Sequence, residues 1–159
     1  MGFGEVIALI IGLVLGHTPA WFDRHRRIRT HWHSLRAEAL LCKKQAEGFL
    51  AANIMSPLYR LPVVAFERAF PILIAEGAVE EEELMNLSRF VSVVQELNRG
   101  LDDASGFVKA NDDEHLRKSH GRNILKAEAL LKPMNNEPAL VVEALRIIGK
   151  KLAEPRWKY

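Results

Sequence analysis

Six histidines and one cysteine are the side chains of this 159-residue chain that most readily bind metals or act as nucleophiles. His31 and His33 are two positions apart, so on a helix they point about 200° apart and cannot chelate one ion. His115 and His120 are five apart, which is not the i, i+4 spacing of zinc-binding helices. Cys42 alone makes no thiolate cluster, and we interpret it as a small core residue. The sequence therefore predicts no metal site and no cofactor.

Motifs for nucleophilic or acid–base catalysis are also missing from the sequence. The chain has no Gly-x-Ser-x-Gly elbow and no glycine-rich phosphate loop. Its acidic groups, at residues 80–83, 102–103 and 112–114, are explained by roles at helix ends, where acids favour the first turn. We assign no catalytic residue. A small enzyme without a recognisable motif is kept as a less favoured alternative, because catalytic groups assemble from distant residues.

The N-terminal 22 residues carry the strongest pattern in the chain. Residues 6–22 form a stretch of 17 positions without a charge, most of them Leu, Ile, Val or Gly. At ~1.5 Å per residue this stretch spans about 25 Å, close to the ~30 Å hydrocarbon core of a bilayer. Trp21 and Phe22 lie at the distal end of this stretch, where interfacial aromatic residues are expected. We interpret residues 1–22 as a single transmembrane helix.

A basic juxtamembrane segment, residues 23–29, follows the apolar run and contains Arg24, Arg26, Arg27 and Arg29. No Lys or Arg precedes the run, so the positive-inside rule places the N-terminus outside and the rest of the chain in the cytoplasm, at a plasma or inner membrane. The same four arginines are candidates for contact with lipid headgroups.

Other interpretations of the N-terminus fit less well. A cleaved signal peptide needs positive charge before the apolar run, and N-myristoylation needs Ser or Thr at position 6, which is Val. A helix of a soluble domain, or one lying at a membrane interface, stays open, because the strictly aliphatic core is short.

Small residues recur at every fourth position of the N-terminal 22 residues: Gly4, Ala8, Gly12, Gly16 and Ala20. Each step turns ~400°, so successive members drift ~40° around an ideal helix. Ala8, Gly12 and Gly16 lie within about 80° of one another and share one face, whereas the two end members do not. Such a face lets two membrane helices approach closely. We predict a helix-packing face, used for self-association or for a protein partner.

Beyond the anchor the hydrophobic period is helical and predicts an all-α cytoplasmic domain over residues 30–154, followed by a tail at 155–159. The first helix presents an apolar stripe of Trp32, Leu35, Ala39, Cys42, Ala46, Phe49 and Asn53. The expected architecture is one transmembrane helix followed by a bundle of about four to five helices.

Several boundaries of this bundle are predicted from local signals. Acidic residues 80–83 open a long helix that Gly106 is expected to end, and Asn111 is expected to cap the next helix. A last helix is expected to begin near Asn136 and to bury Val141, Leu145, Ile148 and Leu152. The pattern over residues 63–75 does not decide between a kinked helix and an extended segment.

The stretch 57–62 is the least ordinary local sequence, because it holds Tyr59 and Arg60 between two prolines. A buried Arg60 would need a carboxylate such as Glu67, and Asn98, which interrupts an apolar stripe, would also need partners. We predict either a structural corner of the bundle or a docking groove around Tyr59 and Arg60.

Charge is strongly segregated along the chain: residues 61–114 carry four Lys/Arg against twelve Asp/Glu, and the flanking parts are basic. The sequence predicts a single-pass membrane-anchored interaction, scaffold or accessory protein, whose partners are the membrane and a protein or a second copy bound through the membrane helix. The alternative is a peripheral binder of anionic lipid or nucleic acid. Nucleic acid is not favoured, because topology alone explains the arginines.

Overall fold

The computed structural model describes residues 3–134 and 137–155, and for residues 3–5 and 7–19 it describes the backbone alone. The described chain forms five helices: α1 Phe3–Ala52, α2 Val64–Ala75, α3 Glu81–Ala110, α4 Asp113–Leu131 and α5 Leu140–Ala153. These residues contain no strand, apart from an isolated bridge between Met134 and Glu137. The prediction of an all-α protein with a helical bundle is confirmed. Most of the predicted tail, residues 156–159, lies outside the described residues.

Helix α1 is continuous for 50 residues, or ~75 Å, and its backbone passes through Pro19 without a break. From residue 24 onward it packs into the bundle. Ile28, Trp32 and Phe49 are among the largest fully buried side chains of the protein, and the predicted stripe is buried from Trp32 to Phe49. Asn53, its expected last member, is exposed and lies one residue past the helix with φ at +50°.

No helix in the described part of the chain combines the length and apolar character required to cross a bilayer. The apolar run that predicts the anchor falls mainly on residues 7–19, whose side chains lie outside the described residues. The transmembrane anchor therefore stays a prediction.

Helix α2 resolves the ambiguity over residues 63–75, because all but the first of these residues are helical and Pro71 is accommodated inside the helix. Its N-terminus has no side-chain cap of its own. The carboxylate of Glu38, on α1, instead accepts hydrogen bonds from the backbone N–H groups of Ala65 and Phe66. This buried carboxylate satisfies two of the donors that a helix N-terminus leaves free and so joins α2 to α1.

The junction between α3 and α4 differs from the prediction. Gly106 does not end α3, which continues to Ala110. Asn111 serves as the C-cap of α3 in the left-handed conformation, and Asp112 caps α4 by accepting from the N–H of His115. The predicted Asn cap was therefore wrong by one residue, because Asn111 is needed to end the preceding helix.

The last helix begins later than predicted, since α5 starts at Leu140 rather than near residue 136. Its buried face is Val141, Ala144, Ile147, Ile148 and Lys151. Leu145 and Leu152 pack partly buried against the core. Val141 and Ile148 are thus buried as predicted, whereas Leu145 and Leu152 lie at the edge of the buried face.

The two long helices, α1 and α3, run in the same direction, and the three shorter helices run antiparallel to them. Glu38 contacts the start of α2 and Arg24 contacts its end, which fixes α2 against α1. Contacts of Ser119 with Gly100 and of Lys126 with residue 96 place α4 on the second half of α3. Helix α5 covers the first half of α3, and α1 completes the core.

The crossing of α3 and α4 depends on Gly100. A Cβ atom added there would lie 1.9 Å from Oδ1 of Asn123, which is only 1 % exposed. Ser119 also donates to the Gly100 carbonyl at 3.2 Å. The absence of a side chain at Gly100 is therefore what lets the two helices approach so closely.

Candidate functional site

The predicted corner at Tyr59 and Arg60 is built by long-range hydrogen bonds. The Nε of Arg60 donates to Asp102 Oδ1 at 2.6 Å, and its terminal nitrogens donate to four further oxygens: Pro57 O, Tyr59 O, Leu101 O and Ser105 Oγ. The expected pairing with Glu67 was wrong, because the guanidinium faces α3 rather than α2. All five donors of this side chain are thus directed at groups of the chain itself.

Asn98 and Tyr59 hold the same segment. The amide of Asn98 accepts from the Leu61 N–H at 2.8 Å and donates to the Leu61 carbonyl at 2.7 Å. The Tyr59 hydroxyl donates to the Gln45 carbonyl at 3.3 Å. These contacts satisfy polar groups that would otherwise be costly to bury. The geometry favours the structural corner over the docking groove, since few polar groups here remain free for a partner.

The four arginines of the juxtamembrane segment have different surroundings. Arg24 donates to the carboxylate of Glu76 at 2.6 Å and to the Glu76 carbonyl at 2.8 Å, so it holds the end of α2. Arg26 and Arg27 are exposed and Arg29 is half-buried, and the described residues place no carboxylate within ion-pair distance of these three. They remain available to an anionic partner.

Aromatic rings lie directly before these arginines. Trp21 packs edge-on against Phe22, with ring centroids 5.1 Å apart, and stacks on His25 at 6.0 Å. Phe22 is 54 % exposed. An exposed ring and a half-buried ring beside free arginines have a composition typical of a membrane interface.

The end of the bundle at which α1 enters contains a cluster of ion pairs, which we call the basal cluster: Glu80, Glu83, Lys150, Lys151 and Glu154. Lys151 Nζ lies 2.8 Å from Glu83 Oε2, and both side chains are almost fully buried. Lys150, which is half exposed, approaches the other Glu83 oxygen at 3.3 Å. Lys151 also lies 3.4 Å from Glu80 and 4.0 Å from Glu154. This cluster joins the start of α3 to the end of α5.

The electrostatics of Glu83 reflect these contacts. Burial by itself would raise the pKa of its carboxyl, but the hydrogen bonds from Lys151 and from the Glu80 backbone, together with the Lys151 charge, lower that pKa below its ordinary value. This pair was not predicted from the sequence. One signal was present, since Lys151 follows Ile148 by three positions and therefore lies on the apolar face of α5.

A groove runs between α1 and α2 on the outside of the bundle. Its central part, about 340 Å³, is lined by side chains of both helices: His31, Ser34, Glu38, Val64, Ala65, Arg68, Ala69 and Ile72. A smaller cavity of about 140 Å³ continues it toward the basal end, lined by Arg27, Ile28, His31, Ile72 and Glu76. His31 and Ile72 belong to both parts. We call these two parts together the α1–α2 groove; no sequence pattern indicated it.

Cys42, His115 and His120 contact polar groups of the chain itself. Cys42 donates to the Pro62 carbonyl at 3.2 Å, and burial together with the nearby Glu38 charge raises its thiol pKa to about 12. A thiol with that pKa is not a nucleophile at neutral pH. His115 pairs with Asp112 and His120 with Asn53. The described residues contain no group of three His, Cys, Asp or Glu side chains arranged to hold a metal ion.

The predicted packing face of Ala8, Gly12 and Gly16 belongs to α1 by its backbone. Its side chains lie outside the described residues, so this face stays a prediction.

Comparison with protein-family models, with curated proteins and with solved structures found no match to this chain. The fold and surfaces define the protein as an all-helical bundle, and its function is inferred from its own residues.

Proposed function

We propose that this protein is a single-pass membrane-anchored interaction or scaffold protein with its helical domain on the cytoplasmic side. The observation that carries the proposal is the continuity of α1 from Phe3 to Ala52. The helix that contains the apolar run is also the central helix of the bundle, so an anchor at residues 1–22 is joined to the domain without a flexible linker. A rigid connection of this kind is useful to a protein that holds a partner at a fixed distance from a membrane.

The surroundings of the arginines support the proposed orientation. Arg24 is used to dock α2, whereas Arg26 and Arg27 are exposed beside the rings of Trp21 and Phe22. Free arginines next to interfacial aromatic residues suit a cytoplasmic membrane surface.

The spacing along α1 supports association through the small-residue face. Thr30 and Gly48 follow Gly12 by 18 and 36 residues, which is about five and ten turns of an ideal helix. Both positions are exposed, on the side of α1 that the bundle leaves uncovered. By spacing alone, Gly12 therefore shares a side of α1 that is open to a second helix.

The experiment is cross-linking and co-purification of the full chain from native membranes. We expect a homo-oligomer or a defined complex that Gly12→Leu or Gly16→Leu disrupts, because the larger side chain separates the helix backbones. Gly4→Leu and Ala20→Leu are matched controls from the same four-residue ladder, and we expect them to have no effect. A strictly monomeric chain without a partner would contradict the association. Equal loss of the complex in all four variants would contradict the proposed packing face.

Contact with anionic lipid headgroups is a second candidate activity, favoured by the exposure of Arg26 and Arg27. Nanodiscs that contain the full chain should bind anionic vesicles, and the binding should weaken steeply with salt. Replacing both arginines with Gln should remove it. Binding unchanged by salt or by the substitutions would refute this activity.

A further inference from the structure

The α1–α2 groove is open because its floor is made of small side chains. Ala65 and Ala69 of α2 and Ser34 of α1 line the same cavity, and all three side chains are small. Val64 and Ile72 form the rim on α2 and are 54 % and 43 % exposed. The α2 side of the groove is therefore mainly apolar apart from Arg68, and its α1 side carries His31, Ser34 and Glu38.

Three of the polar groups that line the groove already have partners within the chain. The hydroxyl of Ser34 donates to the Thr30 carbonyl at 3.1 Å, so it does not need an outside partner. The Glu38 carboxylate is occupied by the N-terminus of α2. Glu76, at the basal end, is held by Arg24. Both carboxylates that line the groove are therefore already used within the chain.

The free charges of the groove are positive. Arg27 lies at its basal end and Arg68 at its centre, and both are exposed. Neither has a carboxylate within ion-pair distance among the described residues. A groove with apolar side chains on α2 and free arginines along it is complementary to an apolar helix face flanked by acidic residues.

The length of the groove also suits a helix. Its α2 side includes Val64, Arg68, Ile72 and Glu76, spaced at four-residue intervals. Twelve residues of helix correspond to ~18 Å, which matches a partner helix of about three turns. A bilayer is a poorer fit, because α2 lies alongside α1, and a membrane that α1 crosses meets only the basal end of the groove.

We propose that the α1–α2 groove binds an acidic amphipathic helix of a partner protein. This inference rests on the proposed function and names the surface through which the domain recruits its partner. The partner's apolar face covers Val64 and Ile72, and its carboxylates pair with Arg27 and Arg68.

The test uses the full chain in nanodiscs of zwitterionic lipid and two fluorescein-labelled synthetic helical peptides. Both peptides carry the same leucine face, flanked by Glu in one and by Lys in the other. Fluorescence anisotropy should show the Glu peptide binding at least about tenfold more tightly than the Lys peptide, after subtraction of empty nanodiscs. Equal binding, or no binding of the Glu peptide, would overturn the proposal.

A matched pair of double variants locates the binding. Arg27→Glu with Arg68→Glu should weaken binding of the Glu peptide about tenfold or more, because each change replaces attraction with repulsion. Arg36→Glu with Arg122→Glu makes the same change of net charge at exposed positions outside the groove and should leave binding unchanged. Equal weakening by both pairs of substitutions would indicate a general charge effect and would refute binding of the peptide in the groove.

A photo-cross-linking residue at position 72 should label the Glu peptide, whereas the same residue at Leu58, which is fully exposed outside the groove, should not. If Arg68→Glu alone removes binding to anionic vesicles or the cross-linked homo-oligomer and leaves binding of the Glu peptide unchanged, the occupant is lipid or a second copy and the proposal is wrong. Release of the full chain from membranes would refute the proposed function, whereas a membrane-held chain that does not select the Glu peptide would refute the groove alone.

Discussion

Lys150 and Lys151 provide a test of the basal cluster, because adjacent lysines with different burial pair with the same carboxylate. The Lys151 side chain is 3 % exposed and lies 2.8 Å from Glu83, whereas the Lys150 side chain is 49 % exposed and lies 3.3 Å from Glu83. Replacing either with Met removes one positive charge and keeps most of the apolar stem. The two variants therefore differ mainly in whether the lost partner was buried.

The expected costs follow from that difference. Breaking a buried pair costs about 3–5 kcal/mol, because it leaves a desolvated charge without compensation. We expect the lower end for Lys151→Met, about 3 kcal/mol, since Lys150 still approaches Glu83. At about 2–4 °C per kcal/mol for a chain of this size, the midpoint of thermal unfolding should fall by about 6–12 °C. Lys150→Met should cause at most about a third of that shift, because exposed pairs contribute little.

The assay is thermal unfolding of the full chain in detergent, followed by far-UV circular dichroism. Adding Glu83→Gln to Lys151→Met should recover part of the loss, since the uncompensated carboxylate is then gone. Equal destabilisation by the two single variants, or a larger effect of Lys150→Met, would refute the view that burial of the pair determines its contribution.

Three further predictions follow from the fold. In a urea titration, Gly100→Ala should destabilise the chain by about 1–3 kcal/mol, because the added Cβ overpacks the α3–α4 crossing. In the same titration, Gly121→Ala should stabilise the chain by about 0.5–1 kcal/mol, because the Cβ added at position 121 meets nothing within 4 Å. Glu38→Ala should cost about 1–2 kcal/mol and speed hydrogen exchange in the first turn of α2, whereas Glu47→Ala, exposed on the same helix, should do neither. The folded-state pKa of Glu83 lies below its ordinary value of 4.5. The ionised carboxylate therefore contributes fully to stability above pH 4.5, and this contribution disappears as the pH falls through the folded-state pKa. The wild-type chain and Glu83→Gln should converge in stability in acid, and a constant difference between them would refute this.

Local periodicity predicted the helical parts of the bundle well. The stripe from Trp32 to Phe49 was identified correctly because its residues recur at helical spacing and all face the core. Residues 63–75 stayed undecided, since a short apolar run with an internal proline has no distinctive period. The Asn cap was misplaced because two helix ends meet at adjacent residues, 111 and 112, and the sequence does not show which end each residue serves.

Pairings between residues far apart in the chain could not be predicted from the sequence. Arg60 pairs with Asp102, 42 residues away, rather than with the nearer Glu67, because the path of the loop turns the guanidinium toward α3. The cap that Glu38 gives to α2 and the α1–α2 groove both depend on how two helices lie side by side. Local patterns do not encode that relation, so neither feature was predicted.

The prediction of a small-residue packing face concerns residues whose side chains lie outside the described part of the chain. Ala8, Gly12 and Gly16 belong to α1, whose backbone continues without a break into the bundle. What the structure adds is that the continuation of this helix has an uncovered side, on which Thr30 and Gly48 are exposed.

Alkaline extraction of membranes from cells that express the full chain tests the proposed anchor most directly. The chain should stay in the membrane pellet, because an integral helix resists extraction whereas peripheral contacts do not. A variant with Ile10→Glu and Leu13→Glu should move to the supernatant, since charges in the apolar run oppose insertion. Release of the unmodified chain by the alkaline wash would contradict the membrane-anchored function proposed for this protein.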